Sequence, residues 1–184
     1  MLMPAAGSRA KADERRLAVL DAAIVCFARK GFYGTTTHEV AEQAEISQPY
    51  LYRLYVSKET LFAHAVDKVS DLMTKTLTAH APRSAHEWKS VDSTLEAART
   101  AYTDLVADRV ILRFLMHANC AAEEPVIADA VRRCYAKQVE TIREFVGDDD
   151  LVRRWFGAGM LDNVVAVLGL ADLDEPWAQV LSNQ

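Results

Sequence analysis

Through most of the chain, apolar residues recur at steps of three and four, the period of amphipathic helices, and the strict alternation of strands is nearly absent. The pattern predicts an all-α fold. After a polar arm carrying Arg9, Lys11, Arg15 and Arg16, a first helix places Leu17, Leu20, Ile24 and Phe27 on one face and stops at Gly31. Thr36 or Thr37 caps a short second helix that turns Val40, Ala41 and Ala44 inward, and the chain then bends through Glu45 and Ile46 to Ser47. Ser47 is an N-cap for a third short helix, with Pro49 in its first turn, where a missing N–H breaks no bond. Ser57 opens a long fourth helix whose buried stripe runs Leu61, Phe62, Ala65, Val66, Val69, Leu72, Met73 and Leu77, ending near Pro82. Residues 81–87, with Pro82, Arg83 and Ser84, form the best linker. Helical patterning resumes through Val91, Leu95, Ala98, Tyr102 and Leu105, followed by helices near 109–121, 125–146 and 150–170 and a short last one from Glu175-Pro176. This divides the chain into an N-terminal arm and three-helix head, residues 1–56, joined by the long helix to a helical bundle, residues 57–184.

Charge sharpens the division. The 184 residues, 51% hydrophobic, are enough for a real core, and a net charge of −5 excludes binding to nucleic acid over the whole surface. Residues 1–60 hold 8 Lys+Arg against 7 Asp+Glu, net +1; of the chain's 21 and 26 that leaves 13 against 19, net −6, for residues 61–184. A DNA contact must therefore be a local patch in the head. Cys26, Cys120 and Cys134 lie in apolar helical patterns and fit no disulfide framework, which points to a reducing compartment. Residues 1–7 lack the basic leader and apolar run of a secretory signal, and no stretch approaches the roughly 18 apolar residues of a membrane span. The expectation is a cytoplasmic protein with no membrane partner.

Two short helices joined by a three- or four-residue turn and held by a longer one form the helix-turn-helix unit, which presents its second helix to the major groove. Residues 36–56 have that layout. The outer positions of the second short helix are Gln48, Tyr50 and Arg53, with Tyr55 a further candidate, while Leu51 and Leu54 point back into the head. Gln can pair bidentately with adenine, Arg with guanine or phosphate, and Tyr offers a hydroxyl and a flat face. Lys58 sits beside free N–H groups at a helix start, which also attract phosphate. On spacing alone, two ordinary core helices with solvated polar faces remain open as an alternative.

The run Ala22-Ala23-Ile24-Val25-Cys26-Phe27-Ala28-Arg29-Lys30-Gly31-Phe32, then Thr36-Thr37-His38-Glu39-Val40-Ala41, Ile46-Ser47-Gln48-Pro49-Tyr50-Leu51-Tyr52 and Ser57-Lys58-Glu59-Thr60-Leu61-Phe62, resembles the TetR family of helix-turn-helix transcriptional regulators. The blocks occur in order at the family's spacing over residues 15–65. The resemblance implies a nine- or ten-helix homodimer, usually a repressor, whose heads bind a pseudo-palindromic operator in double-stranded DNA and which answers to a small-molecule effector. It also implies that Thr37 contacts phosphate, that His38 approaches bases, that Gln48, Pro49 and Tyr50 enter the major groove, and that Tyr52 and Lys58 grip the backbone. One position departs from the pattern. The family commonly has Gly in the turn where Glu45 stands, so that turn is either strained or differently shaped.

Beyond about residue 80 the resemblance says little residue by residue. The tail from Trp155 to Leu170 is similar to a segment of related regulators that lies in the dimer interface, which nominates Phe156, Gly159, Met160, Asn163 and Val167; a buried helix of a monomer is the alternative. Met73, Trp88, Tyr102, Phe114, Met116, His117 and Trp155 are large or polarizable side chains able to line an apolar effector pocket, or simply to fill a core. An enzyme is the rival class. His38-Glu39-Val40-Ala41-Glu42 begins like a zinc-protease helix but has Glu where the second ligating His must stand. His117, Cys120 and Cys134 fit no common zinc spacing, and there is no phosphate-binding glycine loop. No catalytic residue, metal or cofactor is expected. A third reading, a helical adaptor whose Tyr-rich segment binds protein, differs from the regulator in giving no sequence-selective shift of DNA.

Overall fold

A computed structural model describes residues 6–80 and 91–182, and every regular element among them is a helix. In chain order these are α1 (Ala6–Gly34), α2 (Thr37–Gln43), α3 (Gln48–Leu54), α4 (Lys58–His80), α5 (Val91–Ala107), α6 (Arg109–Cys120), α7 (Pro125–Val146), α8 (Asp149–Leu168), a 3-10 turn (Leu170–Asp172) and α9 (Pro176–Ser182). The all-α expectation holds. The basic arm is not a separate element, because α1 already begins at Ala6. The stop read at Gly31 is a break in α1, with φ 70° and ψ −178° at that residue. Leu72, expected in the buried stripe of α4, is 41% exposed. The inward face drifts round the helix toward Met73 and Leu77, which are buried, and leaves Leu72 at its edge. The linker expected at 81–87 lies outside the described residues.

The chain forms two compact units that do not follow its order: Met1–Lys68 with Phe114–Arg132, and Val69–Arg113 with Arg133–Gln184. The first is built on aromatic rings. Phe62 of α4 meets Phe27 at 4.6 Å, Phe32 at 5.4 Å and Phe114 of α6 at 5.2 Å between centroids. Burying each ring contributes about 1.5–3 kcal/mol, so removing Phe62 would cost more than any surface change in this unit. In the second unit Tyr102 of α5 packs edge-on against Trp155 of α8 at 5.5 Å, and its hydroxyl donates to Asn163 Oδ1 at 2.8 Å. Burial pushes the Tyr102 hydroxyl up to about 12, so it stays a donor throughout the useful pH range. Nearby, Arg99 donates to both carboxylate oxygens of Asp162, at 3.1 and 2.9 Å, the fork geometry that fixes α5 against α8.

Local chemistry sets the helix ends of the head. Thr36 Oγ1 accepts from Glu39 N at 3.2 Å, and Glu39 Oε2 accepts from Thr36 N at 2.8 Å, a reciprocal capping box that starts α2. The turn after α2 is strained, as one branch of the sequence reading foresaw: Glu45 takes φ 53°, a left-handed conformation that suits Gly. Glu45→Gly should therefore stabilise the protein by about 0.5–1 kcal/mol, since relief of the strain exceeds the entropy that Gly adds to the unfolded chain. A denaturant midpoint that falls instead would show that Glu45 is held by contacts worth more than its backbone cost.

Candidate nucleic-acid interface

The geometry of the two short helices follows from three anchors. Ser47 Oγ caps α3 by accepting from Tyr50 N at 3.4 Å, and Ile46 N donates to Ala41 O at 2.9 Å, which closes the turn back onto α2. Leu51 is fully buried and fixes which face of α3 looks inward. The opposite face then carries Pro49, Tyr52 and Arg53 exposed to solvent, with Gln48 and Tyr50 half-buried at its border. The Arg53 guanidinium lies 5.9 Å from the Tyr50 ring centroid, close enough for the ring to hold the cation near this face. Tyr55, the further candidate for the outer face, is 5% exposed, and its hydroxyl donates to Arg16 O at 3.3 Å. It is a strut between α3 and α1, because α3 ends one residue earlier and extended backbone at Tyr55 turns the ring inward.

Thr37 is the hub of this surface. It is 7% exposed; its Oγ1 accepts from Gln48 Nε2 at 2.8 Å and lies 3.0 Å from Tyr52 OH. One hydroxyl at the start of α2 thus orients two side chains of α3. Gln48 gives one of its two N–H donors to this bond, which leaves the other and its carbonyl outside it. Nothing in the sequence reading linked these three residues, although the Thr side chain at a helix start is a common place for such a bond. His38 is exposed and lies 3.4 Å from Glu42 Oε1, one turn along α2. Lys58 folds back onto the head: its Nζ donates to Phe32 O at 3.0 Å and to Thr35 O at 3.2 Å and stands 4.3 Å from the Phe32 ring centroid. It joins the start of α4 to the end of α1, and these two bonds use two of its three N–H groups.

The capping box reaches further than the Thr36–Glu39 spacing reveals. Lys30, on the far side of the Gly31 break, also pairs with the Glu39 carboxylate. The Lys30 hydrogen bond first, then those from Thr36, hold Glu39 down to about 2. A carboxylate whose folded value is depressed stabilises the fold above its unfolded value near 4.5 and loses that contribution as pH falls through the folded value near 2. The expected result is that wild type exceeds Glu39→Gln in thermal stability at pH 6 and that the gap closes between about pH 4.5 and pH 2. A gap independent of pH would assign the effect to neutral hydrogen bonds alone.

The residues nominated for an effector pocket divide between the units. Met73, Tyr102 and Trp155 are buried in the second, the latter two in contact. Phe114 is buried in the first, where Met116 and His117 of the same helix are half-buried. Trp88 lies outside the described residues. Of the residues nominated for a dimer interface, Gly159 and Asn163 are buried inside the second unit, Phe156 and Val167 are half-buried and Met160 is 43% exposed. A Cβ on Gly159 would stand 3.3 Å from Tyr102 Cε1, so this glycine admits a ring of its own protomer. Among the described residues no helix is long and apolar enough to cross a membrane.

Residues 19–65 match the family model of bacterial regulatory proteins, tetR family. None of the curated proteins compared with the chain matches it. Among solved structures, the transcriptional regulator FadR from Bacillus subtilis, in complex with stearoyl-CoA, superposes with a TM-score of 0.70 at 13% identity, covering 91% of this chain and 94% of that one. A TetR-like transcriptional regulator from Rhodococcus sp. RHA1 gives 0.65 at 23% identity, covering 92% of each chain. A second regulator from Rhodococcus sp. Rha1 gives 0.67 at 16%, covering 85% and 84%. These likenesses show a shared fold, and the head supplies the family signature. Residues 19–65 thus carry the N-terminal signature of the bacterial regulatory proteins of the tetR family, and the chain as a whole shares the fold of regulators that carry it.

Proposed function

We propose that this regulator is a repressor that binds an inverted-repeat operator as a homodimer and releases it when a small, largely apolar molecule enters its helical body. The observation that carries the DNA-reading part is the α3 surface held from Thr37, with Gln48, Pro49, Tyr50, Tyr52 and Arg53 along one edge of a head that is net positive on a net negative chain. Residues 1–56 read the operator, and residues 57–184 bind effector and partner. The protein works in the cytoplasm, where its cysteines, which form no disulfide, stay reduced.

Gln48→Ala should cost roughly 1–3 kcal/mol on the cognate site and little on random DNA, as loss of one base contact does. Gel shifts against fragments flanking the protein's own gene supply the site. Equal losses on both DNAs would move Gln48 from base reading to general support of α3. Lys58→Ala, measured alongside, should weaken all sequences alike and lower the salt slope by about one counterion.

Support for the effector comes from the fold: FadR from Bacillus subtilis, which shares it, holds stearoyl-CoA, and Met73, Tyr102 and Trp155 are large polarizable side chains buried in the second unit. Induction requires the effector to prefer the non-binding state, by about 5.5 kcal/mol to move the population from 1:99 to 99:1. Linkage makes the effect reciprocal, so operator must weaken effector binding by the same factor. Calorimetric titration of 1-dodecanol, a small and largely apolar probe, with and without operator reads this directly. Equal affinities would rule out induction by that molecule.

A further inference from the structure

Gln138 of α7 is 1% exposed, and its side chain lies against α4. Its Nε2 donates to Ser70 O at 3.3 Å and to Thr74 Oγ1 at 3.1 Å, while its Oε1 is buried and has no hydrogen-bond partner. Flipping the amide does not cure this. Ser70 O can only accept, so it requires the amide nitrogen, and the Thr74 hydroxyl already donates to the same carbonyl at 3.0 Å. The acceptor is orphaned by the geometry of α4, and an unsatisfied buried acceptor is costly enough to call for a donor.

We propose that Gln138 Oε1 is the polar anchor for the effector, taking an N–H or O–H donor from a neutral, largely apolar molecule that inserts between α4 and α7. This rests on the effector-responsive reading above. The donor class follows from the atom, which can only accept. Neutrality follows from the surroundings: the buried polar residues described in this unit are Ser70, Gln138, Thr141 and Asn163, none charged, and the nearby Lys137 and Asp71 side chains lie out toward solvent, so a buried ion would meet no buried counter-charge. The atom is sealed from water-sized contact, so binding requires α7 to part from α4. Parting breaks the Gln138 bonds to Ser70 and Thr74 and the Lys137–Asp71 pair beside them. Because α4 is one helix from Lys58 to His80, whatever displaces Ser70 acts on the element that begins in the head.

The test uses three probes of one chain length, 1-dodecanol, dodecanamide and dodecyl methyl ether, titrated against the full chain and followed by Trp fluorescence and calorimetry. The alcohol and the amide should bind on the order of tenfold more tightly than the ether, which has no donor. Gln138→Met, an unbranched apolar replacement of similar length, should erase that preference, keep the affinity for the ether within about threefold, and leave the melting temperature equal or higher because the orphan acceptor is gone. A preference that survives in Gln138→Met, absence of any preference in wild type, or no binding of any probe would each overturn the proposal. So would an ordered water on Oε1 in a crystal of the free protein. None of these touches the wider reading, which fails only if no small molecule releases operator in the gel shift.

Discussion

Gly31→Ala should destabilise the protein by about 2–4 kcal/mol, because two separate costs meet at that residue. Its φ of 70° with ψ of −178° is open to glycine and strained for any residue with a Cβ. The added atom would also stand 2.9 Å from His117 Nδ1, inside any tolerated contact, so the imidazole of α6 must move. The two costs separate by a double-mutant cycle. His117→Ala in the Gly31→Ala background should recover only the steric share, leaving the backbone strain of roughly 1–3 kcal/mol. Full recovery would mean that α1 relaxes to ordinary helix at this point and that the break is imposed by His117 alone. Operator affinity in the same variants then reports whether the break sets the angle at which α2 and α3 are presented.

What could be read from the sequence here is what is local. Ser47, Thr36 and Ser57 start helices by bonds within three residues of themselves, and Gly31 ends one by its own backbone, so pattern and residue type suffice. Glu45 could be flagged from the missing glycine, and it takes the left-handed conformation. What was not legible depends on return contacts. Residues 114–132 rejoin the head through Phe114 on Phe62 and Tyr33 on Glu124, pairings 52 and 91 residues apart that no periodicity encodes. The helix period points Tyr55 outward, but α3 ends at Leu54 and the extended backbone at Tyr55 turns it in. In α8 the ambiguity is of another kind. That helix is apolar on more than one side, so the sequence could not say which side packs inward, and the nominated stripe straddled the face that holds Gly159 and Asn163.

With that face assigned, the proposed dimer has a sharper expected location. Gly157, Leu161, Val164 and Leu168 recur at steps of four, three and four along α8, on the side away from Tyr102. Leu161 is 38% and Leu168 61% exposed, no atom beyond its own stretch of helix would lie within 4 Å of a Gly157 Cβ, and Trp177 and Val180 of α9 add apolar surface at 53% and 77% exposure. An apolar helix face with a small residue at its centre allows close approach of a second copy, and a two-fold axis makes the same stripe serve both protomers. Leu161→Asp combined with Leu168→Asp should therefore yield a folded monomer at micromolar concentration in sedimentation, with the melting of the protomer core retained. Operator affinity should fall on the order of 100-fold or more, because two linked heads gain from effective concentration and one head does not. Affinity for a half-site should change little. A double variant that stays dimeric places the interface elsewhere. A monomer that holds the full inverted repeat as tightly as wild type would instead remove the dimer from the account of operator recognition, since a single α3 would then be carrying the whole of it.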